Sequence, residues 1–198
     1  IMAACTAACA LGGDPSRFQD VLDAYVPTGG RMTRWRAMGR IVTSDLAKNP
    51  VGFDRQIQQI KASSGRLMAF FLNDAEADGR DVSWIWDVDF ECLAETPGIR
   101  AFVGGSRAND LQVRLKYAGI DAPIVESVEQ ALASVTDEPA GDVLFAVANY
   151  TAFPPVVADL KRLSSEDAGI TAPQVDQTAH GDQAAVATGD ELPAPAVL

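Results

Sequence analysis

The residues best suited to chemistry lie in one short segment, residues 73–91, which reads NDAEADGRDVSWIWDVDFE. This acidic segment contains five aspartates, two glutamates and two tryptophans. Carboxylates accept hydrogen bonds and bind cationic or hydroxyl groups, so the segment is a candidate for ligand binding or catalysis. Crowded carboxylates also raise one another's pKa, which indicates that something compensates their charge. The alternative is an acidic surface loop that Trp84 and Trp86 anchor to the core.

An apolar run directly precedes the acidic segment. Residues 66–72, RLMAFFL, have the length and composition of a buried β-strand. The acidic residues therefore begin where a predicted strand leaves its sheet. In open α/β sheets, ligands bind in the crevice beyond the carboxyl ends of the strands. The position of the acidic segment thus favours a functional role.

The rest of the chain alternates predicted strands with predicted helices, which is typical of an α/β fold with a mainly parallel sheet. The predicted strands cover residues 40–43, 67–72, 99–103, 123–125 and 143–148. The predicted helices cover residues 1–11, 17–25, 52–63, 90–93, 107–118, 127–135 and 156–163. On the helix at 107–118, a polar face is predicted to meet solvent or a partner; it comprises Arg107, Asp110, Arg114, Lys116 and Tyr117.

The chain divides into three predicted segments. Residues 1–30 carry two helices with too little apolar surface for a domain, so they are interpreted as the end of a preceding domain and a hinge. Residues 31–163 form the predicted α/β domain. Residues 164–198 are rich in Ala, Asp, Gly, Pro and Gln without periodicity and are predicted to be a disordered tail. Because the chain does not begin with methionine, its start is interpreted as lying inside a longer protein.

The composition argues against several classes of function. A formal net charge of -11 over 198 residues disfavours non-specific binding to nucleic acid or to anionic membranes. No apolar run approaches the ~20 residues of a membrane-spanning helix. Cys5, Cys9 and Cys92 form no CxxC pair and no metal-ligand cluster, so they are predicted to be buried reduced thiols. The single histidine, His180, lies in the predicted tail, and a histidine-based centre within this chain is not expected.

Four motifs occur in an order that points to a family. They are AKNPVG at 47–52, the acidic segment, GSRANDLQVRLKYAG at 105–119 and NYTA at 149–152. Together they closely resemble the C-terminal domain of the MurT family, the Mur-ligase-like subunits of lipid II isoglutaminyl synthase. The resemblance covers residues 1–163 and implies a Rossmann-like α/β fold of the Mur ligase C-terminal type. It also implies that residues 1–30 are the end of the central ATPase domain and the hinge after it.

The resemblance implies an ATP- and glutamine-dependent amidation. In this family the α-carboxyl of the D-glutamate in the stem peptide of lipid II becomes an amide, and ATP with Mg²⁺ activates that carboxyl as an acyl phosphate. The ammonia comes from a GatD-type glutamine amidotransferase partner, which supplies a cysteine nucleophile and a histidine base. The implied location is the cytoplasm, at the inner face of the membrane that carries lipid II.

The resemblance also assigns roles to three residues. Asp81, in the DGRDVSW motif, matches the aspartate that completes the catalytic triad of the partner glutaminase. Asp74 matches the Mur-ligase aspartate that contacts the nucleotide ribose, and Arg31 matches the hinge arginine that reaches the ATP phosphates. From the residues alone, Asp74 could equally cap a helix or stabilise a loop, and Arg31 could be a solvated hinge charge.

The chain differs from the complete enzyme of this family in two respects. It has no GxxxxGK(S/T) phosphate loop, so the main ATP site is expected outside this chain. It also lacks the paired cysteines of the family's zinc ribbon, and no metal site is expected in it. The chain alone is therefore expected to be inactive.

Two alternative functions stay open at this point. One is a Mur or folylpolyglutamate ligase domain that adds an amino acid; those enzymes carry a histidine in a DxAHxP or DGAHNP motif, where this chain reads NDAEADG. The missing histidine counts against that alternative. The other is a non-catalytic interaction module, which would fold normally and form no complex with a glutaminase.

Overall fold

The computed structural model describes residues 2–24, 32–139 and 142–167. The strands are β1 Thr33–Ala37, β2 Arg40–Leu46, β3 Leu67–Phe71, β4 Arg100–Gly104 and β5 Leu144–Ala148. The α-helices are α1 Met2–Ala10, α2 Phe18–Asp23, α3 Pro50–Ala62, α4 Glu91–Ala94, α5 Ala108–Tyr117, α6 Val128–Ala133 and α7 Phe153–Asp167. Within the same ranges, short 3-10 helices cover Pro15–Arg17, Glu76–Asp78 and Ser83–Asp87.

The strands form one sheet in the order β1-β2-β5-β3-β4. β1 runs antiparallel to β2, and the other neighbouring pairs are parallel. Every residue of β3 and β5 is buried, which explains their continuous apolar sequences, since a parallel strand is covered on both faces. The predicted α/β fold with a mainly parallel sheet is confirmed.

Helices cover both faces of the sheet and create two hydrophobic cores. One core lies against α3, α5 and the chain after β3, and it includes Phe53, Phe70 and Leu111. The other lies against α6 and α7 and includes Phe71 and Leu160. The chain that leaves β3 therefore crosses one face, whereas α7, which follows β5, covers the other. Because β3 and β5 are neighbours, the two connections diverge at their carboxyl ends, where α/β proteins place ligands.

Local sequence determines where α3 begins and which face it buries. The Asn49 side chain caps the helix by accepting a hydrogen bond from the Gly52 N–H at 2.8 Å. Pro50 occupies the first turn, where its missing N–H breaks no helical hydrogen bond. Three apolar residues at helical spacing are fully buried, as predicted: Phe53, Ile57 and Ile60.

The structure corrects the prediction at the first strand. A β-hairpin of β1 and β2 replaces the single strand predicted at residues 40–43. Exposed Arg34 and Arg36 alternate with Trp35, which packs against the second core. That alternation is typical of an antiparallel strand with one face in solvent, and such a strand has no continuous apolar run.

Two further boundaries differ from the predictions. Residues 123–125 contribute only an isolated bridge between Val103 and Ile124. Pro123 has no N–H to continue a ladder, which limits this segment to a bridge. The last helix, α7, extends to Asp167, past the predicted domain end at residue 163.

The described residues at the N-terminal end contribute nothing to the core. Neither α1, the 3-10 helix Pro15–Arg17 nor α2 contains a buried residue. Cys9 is exposed, and Cys5 and Cys92 are half-buried, so the prediction of three buried thiols is wrong, although all three are free. The assignment of residues 1–30 to a preceding domain stays a prediction.

Gly105 lies where the chain turns from β4 into α5. Its φ is +91°, and a Cβ at this position would lie 2.3 Å from the carbonyl oxygen of Leu72. That oxygen accepts a hydrogen bond from the Arg107 N–H at 3.0 Å. Only glycine allows the backbone after β4 to approach the end of β3 this closely.

We expect Gly105→Ala to lower the free energy of unfolding by more than about 2 kcal/mol, because left-handed backbone strain and a backbone clash act together. Urea unfolding of both chains measures the difference. The matched control is Gly39→Ala, since Gly39 also has positive φ, +72°, but apart from its chain neighbours no described residue lies within 4 Å of where its Cβ would stand. Equal losses in the two variants would contradict the close approach at Gly105.

Candidate functional site at the carboxyl edge of the sheet

Polar groups tie the carboxyl ends of β3, β4 and β5 together. Asn149, which is 2% exposed, accepts a hydrogen bond from the Asn73 N–H at 3.0 Å and donates from Nδ2 to the Asn73 carbonyl at 2.7 Å. The Asn73 side-chain oxygen accepts from the Ser106 N–H at 2.9 Å. The start of the acidic segment is therefore held by the NYTA motif on one side and by the turn after β4 on the other.

Asp74 lies directly after Asn73 and is held by two donors. The Ser106 hydroxyl donates to Oδ1 at 2.8 Å, and Arg107 donates from Nη1 to Oδ2 at 3.1 Å. Arg107 also donates to both oxygens of Asp110, at 2.7 and 2.9 Å. The bond from Ser106, and then that from Arg107, lowers the pKa of Asp74, while the two carboxylates raise the pKa of Arg107. The structure thus shows the loop-stabilising role that the sequence left open for Asp74.

Asp78 ties the acidic segment to the start of α7. Its Oδ1 accepts a hydrogen bond from the Thr151 N–H at 3.0 Å, and its Oδ2 accepts one from the Thr151 hydroxyl. Thr151 stands two residues before Phe153, where α7 begins. An anionic side chain is favourable at a helix N-terminus because the helix dipole is positive there.

Asp81 is exposed and lies on a tight turn. Its Oδ1 accepts a hydrogen bond from the Ser83 N–H at 2.8 Å, and this bond is the main reason that the pKa of Asp81 is lowered. The turn places Gly79 and Arg80 at positive φ, +87° and +59°, and the Asp81 N–H donates to the Gly79 carbonyl at 2.6 Å. Asp81 therefore presents an ionised carboxylate to solvent at neutral pH.

The crowding of carboxylates in the sequence indicated that something compensates their charge, and hydrogen-bond donors do so at three of them. The pKa of Asp74, Asp81 and Glu91 is lowered instead of raised. In each case the largest cause is a hydrogen-bond donor. The acidic segment winds through short 3-10 turns, and each of these carboxylates faces its own donor instead of another carboxylate.

Arg114 fixes the second half of the acidic segment. Its side chain is 4% exposed, and its guanidinium donates to the carbonyls of Ile85 at 3.2 Å and Val88 at 2.6 Å. It also forms a two-pronged pair with Glu91, both bonds at 2.8 Å. The prediction that Arg114 faces solvent or a partner is wrong, because its guanidinium is buried against the end of a 3-10 helix. There it adds a second hydrogen bond to the Ile85 and Val88 carbonyls, which also accept the backbone N–H groups of Val88 at 3.4 Å and Phe90 at 3.0 Å.

The two tryptophans of the segment differ in environment. Trp84 packs on Phe53, with ring centroids 5.3 Å apart, so its predicted role as an anchor is confirmed. Trp86 is 51% exposed and lies over the Arg114 guanidinium and against Tyr117, so the same prediction is wrong for Trp86. A 3-10 helix turns once in three residues, and Ile85 takes the inward position between the tryptophans.

The structure describes two of the three predicted site residues, Asp74 and Asp81. Arg31 lies outside the described residues. Asp74 and Asp81 share the acidic segment, but no hydrogen bond or ion pair joins them within the described ranges. Across residues 2–24, 32–139 and 142–167 no group of three or more His, Cys, Asp or Glu side chains is arranged to hold a metal ion. No helix in these ranges has the length and apolar character needed to cross a bilayer.

Sequence reasoning missed the residues that hold the site together. Asn149 and Thr151 belong to the NYTA motif, and Ser106 belongs to the motif at 105–119, so the signal was present. The motifs did not reveal which residues they contact, because those contacts join segments that are far apart in sequence: 76 residues separate Asn73 from Asn149.

Comparison with solved structures defines the class of protein. UDP-N-acetylmuramate-alanine ligase MurC from Thermotoga maritima matches with a TM-score of 0.52 and 13% identity, over 81% of this chain and 36% of that one. The murein peptide ligase from Psychrobacter arcticus 273-4 matches with a TM-score of 0.50 and 17% identity, over 85% of this chain and 36% of that one. The fold is therefore that of a Mur ligase C-terminal domain.

Sequence comparison then identifies the family. The sequence model described as MurT ligase C-terminal matches residues 46–153, more than half of the chain, and the chain belongs to this family. The lipid II isoglutaminyl synthase (glutamine-hydrolyzing) subunit MurT of Staphylococcus aureus strain COL is 34% identical over 81% of this chain and 37% of its own length. The subunit of that name from Streptococcus pneumoniae strain ATCC BAA-255/R6 is 30% identical over 76% of this chain and 34% of its own length. The chain thus spans about a third of the length of these relatives.

We expect Arg114→Met to lower the free energy of unfolding by about 1.5–3 kcal/mol, because methionine replaces the apolar stem but loses the charge-assisted hydrogen bonds to the carbonyls of Ile85 and Val88, each of which keeps one backbone donor. Urea unfolding followed by tryptophan fluorescence measures the change. The control is Lys116→Met on the same helix, whose exposed side chain should change stability by less than about 0.5 kcal/mol. Similar values for the two variants would contradict a supporting role for Arg114.

The pair between Glu91 and Arg114 predicts a pH dependence. Arg114 lowers the pKa of Glu91 from its ordinary value of 4.5, so the folded protein binds this proton more weakly than the unfolded chain. The stabilisation is therefore complete above pH 4.5 and is lost as the pH falls through the lowered pKa. Since the Glu91 side chain is 57% exposed, we expect Glu91→Gln to cost only about 0.5–1 kcal/mol at pH 7 and less below pH 4. Urea unfolding at both pH values measures this, and a constant difference would contradict the pairing.

Proposed function

We propose that the full-length protein containing this chain is the MurT subunit of a glutamine-hydrolysing lipid II isoglutaminyl synthase. It uses ATP to amidate the α-carboxyl of the D-glutamate in lipid II, and a GatD-like glutamine amidotransferase supplies the ammonia. Support comes from membership in the MurT family and from the names of the relatives in Staphylococcus aureus and Streptococcus pneumoniae. The substrate would place the complex in the cytoplasm, at the inner face of the membrane.

The observation that supports the proposal most strongly for this chain is the environment of the Asp81 carboxylate. Its carboxylate is exposed, its pKa is lowered, and its loop is fixed by contacts on both sides. A triad carboxylate must be ionised, because it orients the imidazole and stabilises the imidazolium without touching the substrate. For this reason it can be contributed by a second chain, provided that its support is rigid.

The imidazole that Asp81 orients belongs to the partner in this proposal. The only histidine of the chain, His180, lies in the predicted tail, outside the described residues. The GatD-like subunit therefore contributes the cysteine nucleophile and the histidine base, and this chain contributes the aspartate. Glutamine hydrolysis would then require the assembled complex, which couples ammonia release to the presence of the ligase subunit.

Asp74 is proposed to contact the ribose of the nucleotide. Its side chain is 37% exposed, and a carboxylate has about four acceptor sites, so it can accept a ribose hydroxyl while it holds Ser106 and Arg107. ATP and Mg²⁺ supply the activation of the carboxyl in the full-length protein, and their main site is assigned to the part of that protein outside this chain. Arg31 is proposed to reach the phosphates.

We expect Asp81→Asn in the full-length protein to leave its complex with the glutaminase intact but to lower the kcat of glutamine hydrolysis by up to about 10⁴-fold, as the loss of a triad carboxylate can do. Glutamate release by the purified complex measures turnover, and analytical gel filtration measures assembly. The matched control is Asp87→Asn, an exposed aspartate of the same segment, which should hydrolyse glutamine at the normal rate.

The other outcomes of this experiment have definite meanings. Normal turnover with Asp81→Asn would overturn the triad role, and loss of turnover with Asp87→Asn instead would move that role to Asp87. If the unmodified protein bound no glutaminase at all, this domain would be an interaction module of another kind.

A further inference from the structure

The loop that carries Asp81 has an attachment at each end. On the C-terminal side, Arg114 holds the carbonyls of Ile85 and Val88. On the N-terminal side, the carboxylate of Asp78 accepts two hydrogen bonds from Thr151, one from the N–H and one from the hydroxyl. Both partners of this second attachment are half-buried, whereas Asp81 itself is exposed.

Between Asp78 and Asp81 the loop has little packing to hold it. Gly79 and Arg80 are exposed and adopt positive φ, and apart from its chain neighbours no described residue lies within 4 Å of the place where a Gly79 Cβ would stand. The Arg80 guanidinium makes a long contact, 4.0 Å, with Glu76. Asp81 is three residues from Asp78, a reach of at most ~10 Å, and its N–H donates to the Gly79 carbonyl at 2.6 Å, which closes the turn. The position of Asp78 therefore limits where Asp81 can lie.

Thr151 is well placed to serve as a fixed point. It lies between buried Asn149, which is bonded to Asn73, and α7, a helix of 15 residues that covers one face of the sheet. The carbonyl of Asn149 also accepts the Phe153 N–H at 2.9 Å, which closes the turn around Thr151. The hydrogen bonds between Thr151 and Asp78 therefore tie the Asp81 loop to a part of the chain that the sheet and α7 hold in place.

We infer that Asp78 and Thr151 are positioning residues for the Asp81 carboxylate, an inference that rests on the proposed triad role of Asp81. Neither residue touches the reacting groups. Their hydrogen bonds hold the loop so that Asp81 meets the imidazole of the partner in one orientation. Catalytic groups need placement to within about 0.5 Å, and a misplacement of about 1 Å can cost about 10²-fold in rate.

The test uses the full-length protein in complex with its glutaminase partner. Thr151→Val replaces the hydroxyl by a methyl group, Thr151→Ser retains the hydroxyl, and Asp78→Asn keeps one acceptor oxygen while it replaces the second by an amide NH₂. The control is Thr136→Val, in an exposed turn that precedes β5 at the opposite edge of the sheet. Each variant is assayed for kcat and KM of glutamine hydrolysis, for complex formation, and for amidation driven by ammonium chloride in place of glutamine.

We expect Thr151→Val to lower the kcat of glutamine hydrolysis by about 10- to 100-fold. The KM for glutamine, complex formation and ammonium-driven amidation should not change, because none of them depends on the orientation of the triad imidazole. Thr151→Ser should restore kcat to within about threefold, and Asp78→Asn should lower it to an intermediate value. Thr136→Val should match the unmodified protein.

Several results would overturn the inference. Normal kcat in both Thr151→Val and Asp78→Asn, with Asp81→Asn inactive in the same assay, would leave the triad proposal standing and remove the positioning role. Equal losses in Thr151→Ser and Thr151→Val, or a parallel loss of ammonium-driven amidation, would show a packing effect. Normal turnover in Asp81→Asn would remove the triad proposal and the positioning role with it. If Thr151→Val does not fold, the same criteria apply to Asp78→Asn.

Discussion

The burial of the Arg114 guanidinium is the interaction on which the site depends most. After β3 the chain crosses one face of the sheet in short 3-10 turns, where the Ile85 and Val88 carbonyls each accept one backbone N–H. Arg114 reaches across from α5 and donates a second hydrogen bond to each of these carbonyls, while Glu91 balances its charge. A planar guanidinium with five donors can serve carbonyls and a carboxylate together, which a lysine cannot do with the same geometry. The acidic segment thereby gains a fixed path without being a helix or a strand.

The turn after β5 is the second support of the acidic segment. It contacts this segment at two places, beside Asp74 and before Asp81. Asn149 holds Asn73 and so fixes the chain beside Asp74, while Thr151 holds Asp78 and so fixes the chain before Asp81. Both bonds cross from β5 to the chain that leaves β3, at the place where the connections diverge to opposite faces of the sheet. Beyond the ends of the strands, backbone N–H groups no longer face a neighbouring strand. Side-chain oxygens of Asn149, Asn73 and Asp78 accept their hydrogen bonds instead.

The carboxylates of the acidic segment therefore do not form one cluster. Those named below bond to different partners. Asp74 pairs with Ser106 and Arg107, Asp78 with Thr151, and Glu91 with Arg114. Asp78 accepts a backbone N–H, as acceptors do when they cap turns and helices, whereas Asp74 and Glu91 hold side chains contributed by the turn after β4 and by α5. Asp81 differs because its hydrogen bond is to Ser83, two residues away in the same loop, and its carboxylate is exposed. That contrast separates Asp81 from neighbours whose carboxylates hold other parts of the fold.

The sequence by itself determined the α/β class, the buried strands β3 and β5, the inward face of α3 and the position of the acidic segment after a strand. These features depend on periodicity, apolar runs and local caps, which act over a few residues. Only the tertiary structure decided that Arg114 is buried, that Trp86 is exposed, that β1 and β2 form a hairpin, and that Thr151 holds Asp78. These outcomes depend on contacts between residues up to 73 positions apart, and the side-chain types alone do not say which donor meets which acceptor. The lowered pKa values of Asp74, Asp81 and Glu91 likewise result from hydrogen bonds that only the structure reveals.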